Sequence, residues 1–541
     1  MSTVPARLNP LSAEQWWRGA VIYHIYPRSF ADSNGNGIGD LAGITAHLEY
    51  VASLGVDAIW LSPFFTSPMK DFGYDISDYC DVDPIFGTLQ DFDRLLARAH
   101  ELGLRVVIDQ VLSHTSDQHP WFKESRISRD NPRADWYVWA DARADGTPPN
   151  NWQSQFGGSA WTWDARRRQY FMHNFLPEQP DLNVHNPAVQ DALFRCMRFW
   201  LDRGVDGFRL DAINHAMHDR QLRDNPPALP GGRPPRRSAD FQQPLHNRSQ
   251  PEMLPFLERI RALTDEYGGR FTVAEIGGEG AESDMPAYTQ GSRRLHTAYG
   301  FNFLYADTLS PALVRRAMDA WPDTPSTGWP SWAFSNHDAP RAVSRWAVPE
   351  ERAACARFAL LLLLTLRGNV FLYQGEELGL PQAQIAFEDL RDPEAFTNWP
   401  LTLGRDGART PMPWLATAPQ AGFTTGKPWL PLGAGHAELA VEAQQHDAHS
   451  TLNLTRHLLA FRRRHAALRT GTLQFLELPE PLLAFERRAG GVRLLCLFNF
   501  GDTAQPVPAE LARSWRMLEQ VGGAGLQSLP RWSGLVAAPV V

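Results

Sequence analysis

No apolar run in this sequence is long enough to cross a bilayer: the longest, residues 358–366, falls far short of the roughly 20 residues that a spanning helix needs. The first residues, MSTVPARLNPLSAEQWW, have no charged stretch followed by an apolar core. A secretory leader is therefore not expected, a membrane partner is not expected, and a cytoplasmic location is. The four cysteines, Cys80, Cys196, Cys355 and Cys496, are widely scattered and never form a CxxC pair. That spacing offers no zinc site or dithiol motif and predicts free thiols in a reducing compartment. Excess positive charge is also missing, since the formal net charge is −8 and the basic clusters are confined to 166–168 and 462–464. Nucleic acid is not an expected partner, and the second cluster reads as a solvated helix face. A Gly-rich phosphate turn is absent after VIYHIYPRSF (21–30), and no Ser–His–Asp elbow appears. Neither an organic cofactor nor acyl transfer is supported.

What is present is length and alternation. A chain of 541 residues, with 43% hydrophobic and 21% charged residues, has ordinary soluble composition and room for two to four domains. Strand-like runs at 21–27, 57–63, 104–111, 204–211, 271–276, 298–304, 332–338 and 369–377 are separated by helical stretches or long excursions. Eight such units predict an α/β fold, a closed (β/α)₈ TIM barrel, in preference to an open doubly wound sheet. The rhythm breaks between 112 and 180, where Trp, Pro, Asn and Gly accumulate, and again after about 470, where short strand-like runs such as TLQFLEL and RLLCLFNF follow. The expected organisation is a barrel over 1–111 and 181–469, a loop-rich domain inserted after strand three at 112–180, and a C-terminal antiparallel β-domain at 470–541. The 19 tryptophans suit stacking on sugar rings as well as core packing.

The stretch GVDGFRLDAIN (204–214) organises the chemistry. Arg209 and Asp211 stand two apart on a strand and so project to one side, and two charges inside a barrel are costly unless they serve each other or a ligand. Active residues of such barrels sit at the C-terminal ends of strands. Asp109, His114, Arg209, Asp211, Glu275, His337 and Asp338 all fall there. The carboxylates Asp211, Glu275 and Asp338 at one mouth fit glycoside hydrolysis, with one attacking the anomeric carbon and another protonating the leaving oxygen. Arg209 beside Asp211 would favour its ionised form, and burial of Glu275 between Ala274 and Ile276 would raise its pKa. Asp109 reads as a brace beneath the site.

IDQVLSH (108–114), GFRLDAI (207–213), AEIG (274–277) and FSNHD (334–338) resemble, in order, the four short motifs of the α-amylase superfamily, glycoside hydrolase family 13. QPDLN (179–183) is similar to a fifth motif of its oligo-1,6-glucosidase and neutral α-glucosidase group. The resemblance implies Asp211 as nucleophile, Glu275 as acid/base and Asp338 as transition-state stabiliser in a retaining mechanism. It implies glucose contacts from Asp71, Tyr74, His114, Arg209 and His337, with Arg409 of GRDGARTPMPW (404–414) closing that subsite. Phe156 and Phe175 are either aromatic walls or core of the insert. Ser113 stands where the family commonly has Asn, so an amylase-type calcium site is not expected.

DSNGNGIGD (32–40) spaces Asp32, Asn34, Asn36, the Ile38 carbonyl and Asp40 like an EF-hand loop that lacks its final glutamate. It predicts a structural Ca²⁺ or Mg²⁺, the other reading being a hydrogen-bonded turn. Ala212, after the expected nucleophile, goes in this group with α-1,4 rather than α-1,6 specificity. The expected partner is a small α-glucoside such as maltose, cleaved from its non-reducing end; a dedicated glucosyltransferase or a sucrose-active enzyme is the alternative. Oligomeric state is left open.

Overall fold

The computed structural model describes residues 15–230, 235–278, 280–324 and 327–540, so the terminal stretch examined for a leader lies outside the described residues up to residue 14. Eight parallel strands close a barrel in sequence order: β1 (Val21–Ile25), β2 (Ala58–Leu61), β3 (Arg105–Val111), β4 (Gly207–Asp211), β5 (Phe271–Ile276), β6 (Thr297–Gly300), β7 (Trp329–Ala333) and β8 (Asn369–Tyr373). Closure is made by β8 against β1, with Val21 opposite Val370. Nearly every strand residue is buried, which is why these runs read as continuously apolar instead of alternating. Strand β4 lies so close to β5 that a Cβ on Gly207 would meet the Phe271 carbonyl oxygen at 2.4 Å. Glycine is required there by proximity.

Amphipathic helices cover the barrel. Leu89–Glu101 starts from a Thr88/Asp91 capping box, and Pro187–Asp202 starts from Asn186, whose side chain accepts from the Ala188 N–H. The excursion after β3 carries a three-stranded sheet (Trp139–Ala140, Trp161–Asp164 and Gln169–Met172) with its own cluster around Val138, Trp152 and Trp161. After the barrel, β9 (Thr472–Leu476), β10 (Leu482–Ala489), β11 (Val492–Asn499), β12 (Trp515–Val521) and β13 (Ser533–Pro539) form an antiparallel sheet in the order β9-β10-β11-β13-β12. Among the described residues no helix is long and apolar enough to cross a membrane, and the apolar run 358–366 belongs to the buried helix Arg352–Thr365 and its end. The four cysteines are free.

Three expectations are corrected. Strand seven ends at Ala333, not 338, so His337 and Asp338 lie on the loop beyond it, and strand six ends at Gly300, not 304. Apolar content alone does not mark where a ladder stops. The cluster at 462–464 is not a solvated face throughout: Arg462 is buried on helix Thr451–Arg464 and donates to the carbonyls of Leu364, Leu468, Gly19 and Gly368. Its guanidinium satisfies four backbone carbonyls, which no apolar side chain could do.

Candidate active site

At the C-terminal ends of the strands lies a cavity of about 920 Å³, bordered by Asp71, Tyr74, His114, Asp211, Glu275 and Asp338. Phe156, Phe175 and Ala212 also line it, so both phenylalanines are walls of the cavity. Asp211 ends β4; Ala212 then takes a left-handed conformation (φ 38°, ψ 40°) that swings the chain out of the sheet into the 3₁₀ turn Ile213–His215. Its N–H donates to Glu275 Oε2 at 3.0 Å, which fixes the carboxyl on β5 beside the end of β4.

Arg209 is fully buried among three carboxylates. Its Nη1 donates to Asp109 at 2.7 Å and to Asp211 at 2.5 Å, its Nη2 contacts Glu275, and the Tyr299 hydroxyl accepts from Nε at 3.1 Å. Tyr299 in turn donates to Glu275 Oε1 at 3.1 Å. Asp109 also accepts from the Trp60 indole at 3.0 Å and lies outside the cavity lining, as a brace would.

Burial pushes Glu275 up to about 7, with Arg209 opposing and the charges of Asp211 and Asp338 adding. Asp211 is also pushed up to about 7, by burial first and then by Asp109 and Asp338 against Arg209. Arg209 does favour the ionised form of Asp211, as its place beside the carboxyl predicts, but burial outweighs it. The two carboxyls share the Arg209 guanidinium, so their titrations are linked. Asp338 behaves oppositely: burial works against its charge, yet Arg409, Arg405 and Arg209 hold it below the usual range.

The other anticipated residues divide into cavity and support. Asp71, Tyr74 and His114 border the space, and burial lowers His114 to about 4, leaving a neutral ring. His337 and Arg209 lie behind it; His337 accepts from or donates to the Tyr74 hydroxyl at 2.5 Å and sits 3.2 Å from Asp338. Arg409 is also behind, donating to the His337 carbonyl and, at 2.7 Å, to Asp338. The arginine that closes the end of the cavity is Arg405, which pairs with Asp71 at 2.7 Å, Asp338 at 3.3 Å and Asp392 at 2.8 Å. Two arginines stand four apart in GRDGARTPMPW, and the sequence offers nothing to tell the lining one from the supporting one. Gln179, which donates to Asp71 at 3.1 Å, was also missed, although it opens the QPDLN motif.

Residues 24–471 match the alpha amylase catalytic domain. The chain belongs to the α-amylase family. Its relatives include a Rhizobium meliloti protein named "Probable alpha-glucosidase", 52% identical over 96% of this chain and 97% of the relative. The oligo-1,6-glucosidase of Parageobacillus thermoglucosidasius is 37% identical over 90% and 91%. Among solved structures, the α-glucosyl transfer enzyme XgtA superposes with a TM-score of 0.92 at 53% identity, covering 97% of this chain and 99% of that one. The trehalulose synthase MutB of Pseudomonas mesoacidophila MX-45 gives 0.87 at 33% identity, over 97% and 99%. An α-amylase family member with this barrel, insert and C-terminal sheet is a glycoside hydrolase by kinship, and its glucosidase relatives are matched along almost their whole length.

Proposed function

We propose that this glycoside hydrolase is a retaining α-glucosidase that releases terminal α-1,4-linked glucose from maltose and short oligosaccharides. The observation that carries the reading is the cavity itself: three carboxylates in its lining, and the Arg405–Asp71 pair shutting it. Such an end accepts the last ring of a chain and not its middle. Asp211 attacks the anomeric carbon as the glycosidic C–O bond breaks, and Glu275 gives its proton to the departing oxygen. Asp338, held ionised by its arginines, favours the positive charge that develops on the ring. In the second half Glu275 takes a proton from the incoming hydroxyl, whose oxygen displaces Asp211.

If the incoming hydroxyl belongs to an alcohol or sugar and not to water, the same residues perform transfer, and the likeness to XgtA favours carrying that reading alongside. The test is an anomer-resolved time course on maltose, isomaltose and sucrose. First release of α-glucose from the non-reducing half of maltose supports the reading; β-glucose overturns retention, and a single glucose freed per maltose consumed, with the other glucosyl unit recovered in new glucosides, moves the protein to transfer.

Two expected outcomes follow from the local geometry. Because burial pushes Asp211 and Glu275 both up to about 7, kcat/KM is expected to trace a bell centred near neutral. It falls on the acid side as the nucleophile is protonated and on the alkaline side as the acid is lost; a flat profile through neutral pH contradicts this. Replacing Ala212 by Val adds bulk to the cavity wall and puts a β-branched residue at positive φ. It is expected to lower maltose turnover and raise the isomaltose-to-maltose ratio, read by kcat/KM on both.

A structural divalent cation is proposed at 32–40. Asp32, Asn34 and Asn36 each accept from the N–H two residues on, at 2.8–3.1 Å, which winds the loop, and the Asn34 amide reaches Asp40 at 3.2 Å. The donor set is all oxygen, as hard cations require. Asp32 also accepts from Thr424, and Gly37 accepts from the Trp429 N–H at 2.9 Å, so a cation held by Asp32, Asn34, Asn36, Ile38 and Asp40 would fasten this loop to the segment after the barrel. Chelation is expected to lower the melting temperature, restored by Ca²⁺ or Mg²⁺; an unchanged melt leaves a hydrogen-bonded turn.

A further inference from the structure

The cavity lining has a second ion pair, next to the segment that Arg405 holds. Arg237, on the long loop after β4, meets Glu394, on helix Pro393–Asn398 after β8, at 2.5 Å. Both side chains line the cavity, Glu394 nearly buried and Arg237 about a third exposed. Each is held by its own scaffold. Asp240 accepts from the backbone N–H groups of Arg236 and Arg237 at 2.8 and 3.0 Å, and Ser238 Oγ accepts from the Gly158 N–H at 2.8 Å. On the other side the Asp392 side chain accepts from the Glu394 N–H at 3.1 Å, while Arg405 grips Asp392. Asn398 donates to the Phe156 carbonyl at 3.1 Å, which brings the insert against the same helix. Three segments distant in sequence thus converge on one side of the cavity.

The pair also stands near the reacting groups. Tyr305 lines the cavity, donates to the Asp338 carbonyl at 3.0 Å, and feels the charges of Asp338, Arg237 and Glu394 together. A sugar ring bonded through its hydroxyl to the glucose at Asp211 must lie further along the same cavity, whose lining these charged side chains share. Burial raises the Glu394 pKa and Arg237 is the first group to counter it, so the Glu394 charge leans on Arg237.

We propose that the Arg237–Glu394 pair bridges the acceptor side of the cavity and sets the length of oligosaccharide the enzyme accepts, favouring disaccharides over longer chains. The inference rests on the α-glucosidase reading and deepens it. A third ring must pass the bridge, and admitting it means parting a half-buried ion pair; a disaccharide fits without that cost, its second ring hydrogen-bonding to the same charged atoms.

The test measures kcat/KM for maltose and maltotriose in the wild type, R237A, E394Q and the swapped pair R237E/E394R. The maltotriose-to-maltose ratio is expected to rise about tenfold in each single variant, a size typical of one altered subsite contact. In the swap, the ratio is expected to return toward the wild-type value. Equal ratios in all folded proteins overturn the bridge, as does a ratio that rises in the singles and stays raised in the swap. Should one single variant fail to fold, the other and the swap still decide. Release of nitrophenol from p-nitrophenyl α-glucoside by the wild type checks the underlying reading separately: without it the glucosidase assignment fails, and with it only the bridge is on trial.

Discussion

Asp211→Asn lowers turnover of maltose by about 10⁴-fold or more, with the fold intact. The amide keeps the shape of the carboxylate but cannot attack the anomeric carbon. The fold survives because Arg209 retains Asp109 and Glu275 as partners. Removing the charge at 211 also removes one of the like charges that raise Glu275, so the remaining acid titrates lower than in the wild type. The checks are kcat on maltose, a thermal melt, and titration of Glu275 followed by NMR. A variant that keeps even a few per cent of wild-type kcat contradicts Asp211 as nucleophile.

Arg209→Leu is expected to be the most damaging single change in the barrel. It leaves Asp109, Asp211 and Glu275 buried with no cation at their centre, and stranding buried charges of this kind costs about 3–5 kcal/mol. The carboxyls answer by holding their protons to higher pH. A carboxyl whose pKa is raised by folding favours the native state below its unfolded value and loses that support as pH climbs to the folded value. Asp109 is already pushed up to about 6 with the arginine present. The stability deficit of the variant should therefore widen from acid toward neutral pH. Urea melts of both proteins at acid and neutral pH measure it; a deficit independent of pH means that Arg209 is a packing element and not the counter-charge of the acids. Catalysis is lost as well, since a protonated Asp211 is no nucleophile.

The corrections separate what neighbours along the chain can reveal from what they cannot. IDQVLSH, GFRLDAI, AEIG and FSNHD stand at barrel strand ends or just beyond, and the residues singled out in them all face the cavity or support one that does. Arg405 and Arg409 share one motif and one residue type, yet one borders the cavity and pairs with Asp71 while the other lies behind Asp338. Arg462 looked like a solvated charge and is buried against four carbonyls.

The sequence by itself determined the barrel, its inserted and terminal β-regions, and the three carboxylates, because burial on both faces of a strand and short motifs at strand ends are written in adjacent residues. Tertiary structure alone decided which arginine shuts the cavity, that Arg209 is divided among three acids, and that Arg237 meets Glu394 in its lining. These are contacts between residues far apart in the chain. Their energies depend on distance and on exclusion of water, neither of which any local pattern of residues encodes.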